Sequence, residues 1–227
     1  MSQPTREPRF SRRRPDAPPP EVERIRPGSG LSRSEVILNQ RRRIFDGFAT
    51  ALTYHSYEDT KVTDIVEFAG VSRATFYERF EGKEACFAAA YEDGIERISA
   101  AIEDAVRGEE EWEARVSEAL RAGLEFLAAN PALAHLLLIE SLAAARPARL
   151  EHERTLVQLA EALRLPPGGE DLPVESARLL AGGLASHLSG QVLAGKAEQL
   201  PSLHGLLLGY LLAPSLATMG LADERRA

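Results

Sequence analysis

Residues 62–85 read VTDIVEFAGVSRATFYERFEGKEA, and a glycine divides the segment. Before it, Val62, Ile65, Val66 and Ala69 recur at spacings of three or four, which is one buried face of a short helix. Gly70 breaks that helix, and Ser72 is a residue type that caps a new one. Two short helices joined by so tight a turn have the apolar spacing of a small packed helical unit. The same period runs on both sides. Phe45, Phe48, Ala49 and Leu52 carry it upstream, and Phe87, Tyr91, Ile95, Ile98 and Ile102 carry it downstream. Val116, Leu120, Leu124 and Leu127 follow. No segment alternates as a strand does, so the chain is expected to be all-α with roughly nine helices.

Helix ends are readable in several places. Ser32 or Ser34 opens the first long helix, Thr60 the second, Ser72 the third and Gly82 the fourth. Asn130-Pro131 is a cap followed by a first-turn proline. Pro147 marks another start, LPPGGEDLP a loop, and two further helices are expected near 174–194 and 201–219.

Residues 1–30 lack apolar periodicity and are rich in arginine and proline, the composition of a disordered arm. Charge is unevenly spread. The arm is net +3, residues 31–83 are neutral, and residues 84–227 are net −10. A total of −7 argues only weakly against a nucleic-acid partner, because local clusters decide phosphate binding. No apolar run approaches a membrane span, and the N-terminus has no secretory h-region. Cys86 is the single cysteine, so no intrachain disulfide forms, and a reducing, cytoplasmic compartment is expected.

Helix, turn and helix over residues 60–80 form a unit whose second helix fits the DNA major groove. Val71 and Phe76 are expected to pack inward. Arg73, Ala74, Thr75 and Tyr77 are then left facing out. Arginine can take a guanine edge in a bidentate contact, and the methyls of Ala74 and Thr75 suit a thymine methyl. Tyr77 offers a donor to phosphate, and Lys83 lies in the first turn of the next helix, where the macrodipole also favours an anion. Arg41, Arg42 and Arg43 fan around their helix and read as a solvated face. Arg12, Arg13 and Arg14 suit either a minor-groove arm or a tail without a DNA role.

The stretch TKVTDIVEFAGVSRATFYERFEGKEA, with its surroundings over residues 33–90, resembles the signature of the TetR family of bacterial repressors. GGLASHLSGQVLAGKAEQLPSLHGLLLGYLLAP resembles the last two helices of that family's C-terminal domain. By position, the resemblance implies base-facing roles for Thr63, Arg73, Ala74 and Thr75, and phosphate contacts for Thr75, Tyr77 and Lys83. Ser56, Val66 and Glu78 depart from the family pattern, and Glu78 would face phosphate repulsion.

The resemblance further implies three units: an arm at 1–30, a DNA-binding domain at 31–83, and an effector-binding and dimerisation domain at 84–227. A homodimer on a palindromic double-stranded DNA operator, released by a small apolar or amphipathic effector, is the expected assembly. Phe87, Tyr91, Trp112, Phe126, His135 and Ile139 lie on the helices that surround the family's effector cavity, although each is also an ordinary core residue. Independent of the family, Ala177, Ala181, Gly182, Gly183, Ala185, Ser186, Ser189 and Gly190 allow close helix approach. Leu206, Leu207, Leu211 and Leu212 supply apolar area beside them.

An enzyme, or a helical adaptor that no longer binds DNA, is the alternative. The five histidines are scattered and Cys86 has no CxxC partner, so no metal site is expected. No phosphate loop or nucleophile elbow is present, and neither enzyme activity nor a cofactor is expected.

Overall fold

The computed structural model describes residues 33–141, 146–163 and 172–213. The arm at 1–30, Ser32, most of the 165–173 loop and the chain beyond 213 lie outside those residues. Helices α1 (Arg33–Tyr54), α2 (Val62–Ala69) and α3 (Arg73–Tyr77) lead into the long α4 (Lys83–Ala105). α5 (Trp112–Ala129) and α6 (Pro131–His135) follow, and α6 continues as a wide π turn, Leu136–Glu140. α7 (Arg146–Leu163) and α8 (Val174–Leu193) come next. A 3-10 segment (Ala197–Leu203) then runs into α9 at 204–213. Among the described residues there is no strand.

α1 to α3 close around Phe45, Phe48, Ile65 and Phe76, all buried. A five-residue helix such as α3 has no stability of its own. It exists because fully buried Phe76 anchors it, a side chain whose burial contributes about 1.5–3 kcal/mol. Phe80, packed between Phe45 and Phe76 at ring separations of 5.8 and 5.6 Å, holds its far end. Gly70 adopts φ +61°, the left-handed cap that ends α2, and Val71 N–H then bonds Val66 O at 3.1 Å.

Thr60 does not cap α2. It is buried, and its hydroxyl donates to Ser56 O at 2.8 Å inside the preceding loop. Asp64, in the first turn of the helix, takes the Lys61 N–H instead at 2.8 Å. Ser72 caps α3 as expected, accepting from Thr75 N at 3.0 Å. Asn130 serves the opposite helix from the expected one: its amide donates to Phe126 O of α5 at 2.8 Å, while Pro131 starts α6. The two helix axes bend by 107° there.

α6 packs against α1, and α4 packs on α5, α7 and the π turn. α8 packs on α7 through buried Leu180, Leu184 and Leu188. No single helix among the described residues is long and apolar enough to cross a membrane.

α1 and α2 touch at Gly47. A Cβ there would lie 2.6 Å from Ala69 N and 2.8 Å from Ala69 Cα. Alanine would add about 1 kcal/mol of helix propensity, but the obstacle is backbone, which cannot step aside. Gly47→Ala should therefore lose about 1–3 kcal/mol in urea unfolding. Gly123→Ala in α5, whose Cβ would meet only Ile102 Cδ1 at 3.6 Å, should instead gain up to about 1 kcal/mol.

Candidate nucleic-acid interface

The Ser72 cap presents the start of α3 to solvent. Ser72, Arg73 and Ala74 are exposed and Tyr77 is 50% exposed, whereas Phe76 between them is buried. Thr63 of α2 is exposed on the same unit. Thr75 is half-buried, and its hydroxyl lies 2.9 Å from the Ser72 hydroxyl, so the cap fixes the rotamer of a residue expected at the DNA surface. Arg79 does not lie against Glu78. Its guanidinium reaches back to Gln40 Oε1 of α1 at 3.3 Å.

Lys83 is more tightly held than the sequence suggests. Its ammonium donates to Tyr57 O at 2.7 Å and Glu58 O at 3.3 Å, and it sits 4.5 Å from the Tyr57 ring centroid. The carbonyls orient the cation without neutralising it, so the charge still acts on an approaching phosphate. The Arg41–Arg43 run is not simply solvated. Arg41 stacks over Phe45 at 5.2 Å, Arg42 pairs with Asp93 at 3.8 Å, and Arg43 reaches Gly70 O at 3.4 Å. Their spread around the helix lets one run brace a ring, α4 and the turn of the motif.

The six residues assigned to an effector cavity fall into separate surroundings. Phe87 is buried at the α1–α4 seam, edge-on to Phe48 and Tyr57 at 5.7 and 5.0 Å. Phe126 lies under the Arg97 guanidinium at 5.7 Å. Trp112 starts α5, and half-buried Ile139 packs on the core from the π turn. His135 Nδ1 stands 3.9 Å from Glu140 Oε1. Tyr91 is buried with its hydroxyl 3.4 Å from both His152 Nδ1 and Thr155 Oγ1, and Ser141 Oγ lies 3.3 Å from the same His152 nitrogen. Burial holds the His152 imidazole below its ordinary pKa and raises that of the Tyr91 hydroxyl. Burial, with Glu84 adding to it, pushes the Tyr57 hydroxyl up to about 12, and burial likewise raises the Cys86 thiol.

Sequence reading missed Glu140, Ser141, His152, Thr155 and Arg97. Glu140 alone left a trace, as the one acid in the apolar run ALAHLLLIESL. Arg97 spans three elements, with Asp46 at 3.4 Å, Asp93 at 3.8 Å and Asn130 at 3.3 Å. Among the described residues no three His, Cys, Asp or Glu side chains gather in an arrangement that could hold a metal ion.

The small residues of α8 divide into two faces. Ala177 and Ala181 are buried within the chain, whereas Gly183, Ser186 and Gly190 line an outer stripe bounded by Leu179 and Leu193, 74% and 65% exposed. In α9, Leu207 and Leu211 point into the core, but Leu206 and Tyr210 are exposed. The Tyr210 hydroxyl donates to Leu179 O at 3.1 Å across Gly183, where a Cβ would lie 2.2 Å from it.

A surface-presented recognition helix on a three-helix unit, backed by a larger helical domain, defines a helix-turn-helix DNA-binding regulator. Residues 49–90 match the family described as bacterial regulatory proteins, tetR family. That match runs from the end of α1 to the start of α4, so the helix-turn-helix unit is of the kind found in TetR-type DNA-binding regulators. Its fold is similar to that of the fatty acid degradation regulator FadR from Bacillus halodurans, at 21% identity over 76% of this chain and 94% of that one, with a TM-score of 0.67. It is also similar to FadR from Bacillus subtilis, solved in complex with stearoyl-CoA, at 20% identity, 75% and 96% coverage and a TM-score of 0.63. PfmR from Thermus thermophilus, a TetR-family transcriptional regulator, shares 21% identity over 73% and 97%, with a TM-score of 0.54. At these identities the likeness is one of fold. No curated protein matches the chain by sequence.

Arg73→Ala should cost about 1–3 kcal/mol on a selected duplex and relax preference at one base pair per half-site. Lys83→Ala should weaken binding to selected and scrambled duplexes alike, reducing the salt slope by about 0.9 for each phosphate no longer neutralised. Tyr77→Phe should weaken binding with that slope unchanged. Affinities of the three variants across a salt titration check the assignments.

His152 gives a pH prediction. Its folded pKa is depressed, so the unfolded chain takes up the proton first as pH falls. Stability should decline as pH drops below about 6.5, the unfolded value, and continue to decline until the folded pKa is passed. His152→Gln should flatten the melting temperature against pH over that window.

Proposed function

We propose that the protein is a dimeric repressor that holds a palindromic operator and releases it when a small apolar or amphipathic effector occupies its C-terminal domain. In this reading residues 31–83 bind DNA, residues 84–227 sense the effector and dimerise, and the protein acts in the cytoplasm. Thr63, Ser72, Arg73, Ala74, Thr75, Tyr77 and Lys83 form the DNA surface.

The outer stripe of α8 and α9 carries the proposal. Leu179 and Leu193 flank small residues that let a second helix approach, and Leu206 and Tyr210 extend the apolar area. Burying that stripe against its two-fold copy gives a four-helix contact and sets two recognition helices on one duplex. The stearoyl-CoA complex of a protein with the same fold supports an amphipathic effector class. So do Tyr91 and His152, whose polar groups are buried together between the C-terminal helices.

Sedimentation should give a dimer at micromolar concentration, and Leu179→Glu with Leu206→Glu should yield a folded monomer. A monomeric wild-type chain would sink the dimer reading. Long-chain acyl-CoA, used as the probe, should weaken binding to a selected duplex roughly 5- to 150-fold, a typical coupling. The duplex must weaken the probe by the same factor. A bound probe with no effect on the duplex would remove acyl-CoA as the effector.

A further inference from the structure

The backbone of one residue is gripped from two sides, through the two peptide units that flank it. Tyr57 lies in the loop between α1 and α2. Its N–H donates to Glu140 Oε2 at 2.9 Å, and its C=O accepts from Lys83 Nζ at 2.7 Å. Glu140 belongs to the π turn of the C-terminal domain and is fully buried, whereas Lys83 opens α4 at the edge of the DNA surface. A fully buried carboxyl is costly unless it is hydrogen-bonded or paired, and the Tyr57 N–H supplies such a bond.

The wide turn explains how that bond is made. Residues five apart stand about 140° apart on an α-helix, so His135 and Glu140 would face different ways. A π turn brings them onto one side, where His135 Nδ1 lies 3.9 Å from Glu140 Oε1 and leaves Oε2 for Tyr57. The turn is also pressed against α4. A Cβ at Gly94 would meet Leu133 Cδ1 at 2.9 Å and Leu137 Cδ2 at 3.0 Å. A change of register in the turn therefore moves Glu140 relative to α4, and the Tyr57 N–H has to follow or let go.

We propose that Glu140 is a positioning residue for DNA binding: from the π turn it fixes the backbone at Tyr57, and through Tyr57 O in the next peptide unit it aims the Lys83 ammonium at the DNA backbone. The inference rests on the phosphate role given to Lys83 above. It adds the route by which the state of the C-terminal domain reaches that charge.

The test uses the full chain and a short duplex recovered from a random pool by the wild-type protein. Affinity is measured across a salt titration, with circular dichroism and sedimentation confirming fold and assembly. Glu140→Asp keeps the charge but withdraws the carboxylate by one methylene. It should reduce the salt slope as Lys83→Ala does. Glu140→Gln keeps an oxygen for the Tyr57 N–H and should retain the wild-type slope. In a double-mutant cycle, adding Glu140→Asp to Lys83→Ala should weaken binding less than twofold further.

The proposal is overturned if Glu140→Asp binds like wild type, if Glu140→Gln is as impaired as Glu140→Asp, or if the two effects multiply. A Lys83→Ala variant with an unchanged slope overturns it as well, and marks the phosphate assignment as the part that failed. A merely structural Glu140 would lower the melting temperature in both variants without changing the slope. Should Glu140→Asp fail to fold, amide exchange at Tyr57 decides the matter. Protection must persist in Glu140→Gln and in wild type, and its absence from wild type refutes the bond.

Discussion

Phe48, Tyr57 and Phe87 meet where α1, the following loop and α4 converge, with ring centroids 5.0 to 6.5 Å apart. Edge-to-face packing sets the angle between rings as well as their distance. The contact therefore fixes the loop at Tyr57 relative to both helices. α3 is too short to hold its own direction and takes it from a neighbouring contact, Phe76 and Phe80 packed with Phe45 of α1. Lys83, one turn before Phe87, inherits its place from the same seam.

Around that seam the domains are joined by polar contacts of unequal kind. Arg97 reaches Asp46 and Asn130 while remaining partly solvated, so each of its pairs is individually weak. Glu140 is fully buried and bonds a backbone N–H, a contact that is expensive to break because the carboxyl would be stranded. The first kind tolerates sliding between domains. The second permits only made or unmade, which is what a switch between two states needs.

The acidity of the whole chain does not conflict with a DNA partner. At physiological salt, charges more than about 8 Å apart at the surface are largely screened, so the acidic C-terminal domain scarcely reaches the recognition helix. In the proposed interface the duplex meets Arg73, Tyr77 and a lysine held in place by two carbonyls. Glu78 stands among them without help from Arg79, which is committed to Gln40.

The sequence by itself determined the helices, the turn and which side chains of α3 face outward. Apolar spacing, Gly70 and Ser72 are local signals, and local sterics and capping translate them directly into structure. Phe76 inward and Tyr77 outward followed from period alone. Tertiary structure decided the rest. Thr60 looked like a cap, but burial gave its hydroxyl to Ser56 O and left the work to Asp64. Ala177 and Gly183 looked alike, yet one lies in the core and the other on an outer face, because α7 covers only one side of α8. Phe87 reads in sequence only as an apolar position of α4, and folding sets it edge-on to both Phe48 and Tyr57. Glu140 showed only as an acid in an apolar run. Its partner is 83 residues away in sequence, and no local rule relates a carboxyl to a distant peptide N–H until folding brings them together.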